Sequence, residues 1–226
     1  MARGTVADPV LDAPGLHLTE VPPGVPQSPD DGLPPSSPPP RKKPFISNAR
    51  LGMLMFLAFE AMFFGGLLGA FLVFRLAAVH WPPPGQPYLP GVVTWINTGI
   101  LLSSGVTMRR ALRAIRDGNQ SGLMNGLGVT ALLGTIFLSV QGSEWVRLVR
   151  YGLTLTSGTY GATFYTLIGC HGVHVLGAVV WMLVVLLQSA RYRFTAHDHV
   201  GVQLCGMYWY FVVGLWPVLF GLVYLY

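Results

Sequence analysis

Charge is what this sequence has least of. Acidic and basic side chains make up 10% of its 226 residues, 14 Lys and Arg against 9 Asp and Glu, while 52% are hydrophobic and the mean hydropathy is +0.52. Soluble domains carry about 25% charged residues, so a water-facing globule is excluded and the bilayer must be the solvent. Cysteine is nearly absent too. Cys170 and Cys205 both fall in apolar segments, which excludes a disulfide framework and a cysteine-bound zinc and leaves both as core residues. No apolar run follows a short basic region at the start, so no cleavable secretory signal is expected and the first span must direct insertion. No Ser-His-Asp or Cys-His arrangement and no phosphate-cradling glycine loop is present, so the chain does not look like an enzyme on its own. The net charge of +5 would suggest nucleic acid in a soluble protein. In a membrane chain the placement of the positive residues matters more than their sum, and no nucleic-acid partner is expected.

Residues 1–48 hold Pro22, Pro23, Pro34, Pro35 and the run Pro38 to Pro40, with almost no aromatic side chain. Such a segment cannot build a packed core and reads as an extended, polyproline-like tail, either a linker or a strap on a partner subunit. Apolar runs begin at Leu51 and span approximately residues 51–74, 92–108, 123–140, 163–187 and 204–225. Each can cross a hydrocarbon core of about 30 Å at about 1.5 Å per residue. The runs do not alternate in polarity as barrel strands do. The expected fold is therefore all-α: a polytopic bundle of five transmembrane helices over residues 49–226, behind a Pro-rich tail.

Orientation follows from the flanking cations. Arg41, Lys42, Lys43 and Arg50 precede the first span, Arg109, Arg110, Arg113 and Arg116 lie between the second and third, and Arg191 and Arg193 follow the fourth. The opposite loops hold only Arg75, Arg147 and Arg150, partly balanced by Glu144. The rule that positive loops stay inside places the N-terminus in the cytoplasm and the C-terminus outside. Trp81, Tyr88, Trp145, Tyr151, Tyr224 and Tyr226 are then expected at the outer interface.

Glu60 most needs an explanation. Ten residues past Arg50, it sits roughly 15 Å deep, near the bilayer midplane. A bare carboxylate there is expensive, so Glu60 should face the bundle, hold its proton and hydrogen-bond to a neighbouring helix. A proton relay, a lipid-headgroup or cation contact, a catalytic acid and a neutral inter-helix hydrogen bond all fit. One turn on, Gly65, Gly66 and Gly69 form small-x-x-x-small patterns that permit close helix packing. His171 and His174 lie three apart, on one helix face. No further metal ligands on another helix are evident, and a bis-histidine haem needs its ligands on facing helices. They read as a hydrogen-bonded core or proton-active pair, one of them a partner for Glu60. His197, Asp198 and His199 precede the fifth span, where they can collect protons or simply form a solvated loop and helix cap. Glu144 and Arg147, one turn apart, are expected to form an interfacial ion pair.

Three segments together resemble subunit III of the cytochrome c and quinol oxidases. Gly52 to Phe64, with its Glu60, is similar to that family's Gly-Met-x-x-Phe-x-x-x-Glu-x-Met-Phe-Phe helix. Phe164 to Val175 resembles its Phe-Tyr-x-Leu-Thr-Gly-x-His-Gly-x-His-Val signature, and Tyr208 to Val212 its Tyr-Trp-His-Phe-Val. Tyr210 and Val213 depart from the pattern, where histidine and aspartate are usual. The resemblance implies a bundle equivalent to the last five of seven helices, with no redox centre of its own. It implies haem and copper in the partner subunit I, phospholipids bound in a cleft, and support of proton uptake in a proton-pumping terminal oxidase. By the same match Glu60 corresponds to the family's buried carboxylate, and His171 and His174 to its paired histidines. The electron donor, cytochrome c or quinol, stays open, as does assembly into a larger supercomplex. Two other readings remain: an accessory protein of a nitric oxide reductase, and a small proton-coupled transporter using Glu60 and His171. Transport folds usually show inverted repeats and broken helices, and neither is clear here.

Overall fold

A computed structural model describes residues 47–81, 83, 91–191, 193–195 and 198–225. The Pro-rich tail up to residue 46, with Arg41, Lys42 and Lys43, lies outside the described residues, as do Tyr88, His197 and Tyr226. Five helices follow in order: α1 Asn48–Ala77, α2 Gly91–Arg116, α3 Gln120–Arg150, α4 Thr159–Ala190 and α5 Val200–Phe220, the last running on as a π-helical turn, Gly221–Leu225. All five are long and apolar enough to cross a membrane.

Each helix outruns the apolar segment that predicts it. α2 reaches Arg116 rather than Met108, and α3 reaches Arg150 rather than Val140. Helices of 30 to 32 residues rise about 45 to 48 Å, beyond a hydrocarbon core of about 30 Å. Hydropathy marks only the part inside the core. The backbone goes on satisfying its own hydrogen bonds into the headgroup layer, where arginine is tolerated.

The helix ends show how local sequence sets the path. Ser47 caps α1, its hydroxyl accepting from the Arg50 N–H, so the helix begins one residue before the expected tail boundary. Between α2 and α3 the chain turns in three residues, Asp117 to Asn119. Gly118 sits at φ 71°, its N–H donating to the Ile115 carbonyl while the Asn119 N–H donates to that of Ala114 at 2.8 Å. This is the Schellman ending, which needs a left-handed residue and so favours glycine. The Asn119 side chain then caps α3 by accepting from the Gly122 N–H at 2.8 Å. A turn this tight holds α2 and α3 antiparallel and in close contact. A Cβ built on Gly126 would stand 2.7 Å from the Ala111 Cβ.

Because lipid tails are as apolar as leucine, packing and polar contacts hold the helices together. Trp209 and Trp216, both fully buried on α5, donate their indole N–H groups to Ser104 at 3.2 Å and Thr98 at 2.9 Å on α2. Thr107 and Thr130 join α2 to α3 at 2.7 Å. Tyr224, expected at the outer interface, instead turns to the core: its hydroxyl accepts from the buried Gln141 at 3.1 Å and its ring meets Phe164. An interior amide in need of a partner outweighs an interfacial seat. α1 is held differently. Only Met53, Phe64 and Phe71 are buried along it, and Arg50 anchors its first turn to the Gln203 side chain of α5. At the other end Phe71 packs against Trp81, which packs in turn against Tyr160 of α4.

Two glycine substitutions test this packing by thermal unfolding in detergent. Gly134→Ala places a Cβ 2.6 Å from the Trp209 ring and 2.9 Å from Val179, and should cost about 1 to 3 kcal/mol. Gly118→Ala forces a left-handed alanine and should cost about 1 to 2 kcal/mol. Gly128→Ala, which meets nothing within 4 Å, should leave the midpoint unchanged or raise it.

Candidate functional site

Glu60 lies near the middle of α1, and the chain places His174 of α4 directly against it. The Glu60 Oε2 and His174 Nε2 atoms are 2.9 Å apart, with the side chains 17% and 20% exposed. The other ring nitrogen, Nδ1, lies 2.6 Å from the Cys170 carbonyl oxygen on the preceding turn. A carbonyl oxygen only accepts, so Nδ1 carries a hydrogen. Nε2 then faces the Glu60 carboxyl oxygen at contact distance. An acid and a base that share one proton, as carboxylic acid with neutral imidazole or as carboxylate with imidazolium, carry no net charge, which is the arrangement a bilayer interior favours.

Aromatic rings shape the surroundings. Phe63 stacks on the His174 ring at 6.1 Å and Phe64 meets it edge-on at 5.0 Å. One turn back on α1, Phe56 meets Tyr208 of α5 at 5.9 Å, and Tyr208 meets Trp181 of α4 at 5.8 Å. The rings bring the three helices together around the dyad.

His171 does not join this pair. Three residues back along α4 its side chain is turned by about 60°, which carries it into the bundle. It is 0% exposed, stacked on Trp216 at 5.2 Å and edge-on to Phe137 and Phe64 at 6.4 Å. Neither ring nitrogen has a hydrogen-bond partner among the described residues. Phe64 touches both histidine rings and stands between them. Gly65, Gly66 and Gly69 approach no other helix among the described residues: a Cβ on any of them would meet nothing within 4 Å. The close approaches that glycine permits fall instead at positions including Gly122, Gly126, Gly134 and Gly206. The signal for Gly134 is available in retrospect, since Trp209 and Trp216 lie one heptad apart and a large ring in a tight bundle needs a bare backbone opposite it.

Of the cytoplasmic-edge trio, Asp198 and His199 are described and His197 is not. The Asp198 N–H donates to the Thr195 hydroxyl at 3.1 Å, and His199 occupies the N-cap of α5 without a side-chain capping bond. Glu144 and Arg147 stand 3.6 Å apart. The two histidines of α4 diverge, and no three His, Cys, Asp or Glu side chains gather among the described residues.

A family model described as cytochrome c oxidase subunit III matches residues 42–226. Similar proteins include cytochrome c oxidase subunit 3 of Papio hamadryas, 36% identical over 187 residues, which cover 80% of this chain and 70% of that one. That of Synechocystis sp. is 38% identical over 175 residues, 77% of this chain and 74% of the relative. That of Equus caballus is 34% identical over 181 residues, 77% and 68% of the two chains.

The dyad predicts an asymmetry between two substitutions. Glu60→Gln should unfold near the wild-type temperature, because its amide N–H can donate to Nε2 as the carboxylic acid does. Glu60→Ala leaves Nε2 unpartnered and should cost about 1 to 2 kcal/mol. If the glutamine variant is as unstable as the alanine variant, the pair is held together by ionisation.

Proposed function

Since the chain belongs to the cytochrome c oxidase subunit III family, as an accessory subunit of a haem-copper oxidase, we propose that its Glu60–His174 dyad is a membrane-buried proton site supporting proton uptake by the complex. The observation that carries the reading is the 2.9 Å contact between Oε2 and Nε2, with Nδ1 committed to a carbonyl. A single proton can pass between these two atoms without changing the charge of the site. The electron and oxygen chemistry belongs to haem and copper held by the partner subunits, and this chain contributes packing, lipid contact and proton handling. The dyad also offers a site at which a proton from one side of the membrane can pause.

The same reading places the N-terminus in the cytoplasm, on the strength of Arg109, Arg110, Arg113 and Arg116 at one end of α2. Subunit I is the partner that family membership supplies. Phospholipids fill the surface that α1 leaves uncovered.

Affinity purification through this chain tests the assembly. Haem and a larger multi-span subunit should come with it, and the preparation should consume oxygen. A preparation without haem, or one that reduces nitric oxide instead, overturns the assignment. For the dyad, Glu60→Gln in the assembled complex should slow proton uptake at constant haem content. It should also remove a carboxyl infrared band if the proton rests on the acid. Uptake unchanged in the glutamine variant would show the dyad to be structural.

A further inference from the structure

One face of α2 carries a pattern that the oxidase role does not absorb. Trp95, Gly99, Leu102, Val106, Arg109, Arg113 and Arg116 recur at alternating spacings of four and three, so they form one stripe along the helix, and all seven are exposed. The stripe is aromatic at one end, apolar in the middle and cationic at the other. α5 runs antiparallel beside it, since Trp216 bonds to Thr98 and Trp209 to Ser104. Along the seam α5 shows Tyr210, Gly214 and Val218. Tyr210 is 39% exposed and within electrostatic reach of Arg109, Arg113 and Arg116. A Cβ on Gly99 or Gly214 would meet nothing within 4 Å, so the apolar part of the seam is bare at both glycines.

Arg113 and Arg116 lie in the last turn of α2, where cations complement the helix dipole. Arg109 does not share that reason. It sits two turns back, roughly 10 Å further into the membrane, and no ion pair to it occurs among the described residues. Asp117, the acidic residue nearest in sequence, falls in the turn beyond the stripe.

We propose that the α2/α5 seam is a specific seat for one anionic phospholipid. The phosphate lies between Arg109 and Arg113 beside the Tyr210 hydroxyl, and an acyl chain runs over Leu102, Val106 and Gly214. The complementarity is twofold: cations where a phosphodiester reaches, and a bare apolar strip continuing from them along the two helices. An acidic peptide matches the first half of the stripe and not the second. The seat deepens the lipid contact proposed above and rests on the accessory-subunit reading only for the preparation in which it is tested.

The test uses the intact complex in nanodiscs, with photoactivatable phosphatidylglycerol or phosphatidylcholine carrying the reactive group on the acyl chain. Phosphatidylglycerol should label the peptides bearing Leu102 to Val106 and Gly214 to Val218 in preference to phosphatidylcholine. Each arginine in such a site is worth about fivefold in affinity for an anionic lipid. Arg109→Gln with Arg113→Gln should therefore reduce labelling more than tenfold, while the corresponding lysine variants retain most of it. Arg147→Gln with Arg150→Gln, at the far end of α3, should change nothing. Haem content and subunit stoichiometry report assembly separately, so an assembled complex that is not labelled at the seam overturns the seat alone. Equal labelling by the two lipids, labelling indifferent to the glutamine variants, displacement by soluble glycerol phosphate, or cross-links from the seam to another polypeptide would each overturn it as well.

Discussion

The absence of water in the hydrocarbon core governs this structure. A polar atom there has only the protein to bond with, and several kcal/mol are at stake when it fails to do so. Several of these partners are built in, with fully buried His171 an exception among the groups named above. Two tryptophan N–H groups of α5 end on hydroxyls of α2, and those hydroxyls in turn donate to carbonyls of their own helix at Thr94 and Leu101. Gln141 finds a tyrosine, and Asn97 donates to the Phe137 carbonyl. Glu60 and His174 bring an acid and a base together at 2.9 Å.

Packing divides the bundle into two regimes. α2, α3, α4 and α5 approach closely wherever a glycine or alanine clears the way, and they bury the large side chains Trp209, Trp216, Phe137 and Phe164. α1 is held by an arginine–glutamine contact at one end, an aromatic ladder at the other, and the dyad between them. Its exposed Met55, Phe59 and Met62 form a face that a neighbouring subunit or lipid must cover. Glu60 is thus placed on the helix with the least support from its own chain, facing the part with the most.

Much of this was legible in the sequence, for reasons that also explain what was not. Five apolar runs predict five helices because nothing else of that length survives in lipid. Their ends were invisible because hydropathy stops where the headgroups begin while the backbone hydrogen bonds continue. Glu60 announced itself as a lone carboxylate in an apolar run. Which histidine meets it depends on a 60° rotation between His171 and His174 that spacing alone does not orient. Gly65, Gly66 and Gly69 carry the sequence pattern of a helix contact, yet the contacts occur at Gly126 and Gly134, since a small residue permits an approach without specifying who approaches. The three cohesive motifs around Glu60, His171 and Tyr208 carried the family resemblance, which rests on order and spacing rather than on any geometry they encode.

The neutrality of the Glu60–His174 pair has an electrical corollary. Moving the shared hydrogen from oxygen to nitrogen across a 2.9 Å gap displaces unit charge by roughly 1 Å, about one-thirtieth of the hydrocarbon thickness. A membrane potential of 100 mV does about 2.3 kcal/mol of work on a charge that crosses the whole membrane, hence at most about 0.1 kcal/mol on this step. Thermal energy is several times larger. On the proposed proton role, a transfer within the pair would be nearly indifferent to voltage, and a respiring membrane would act on the site by driving a proton into it or out of it.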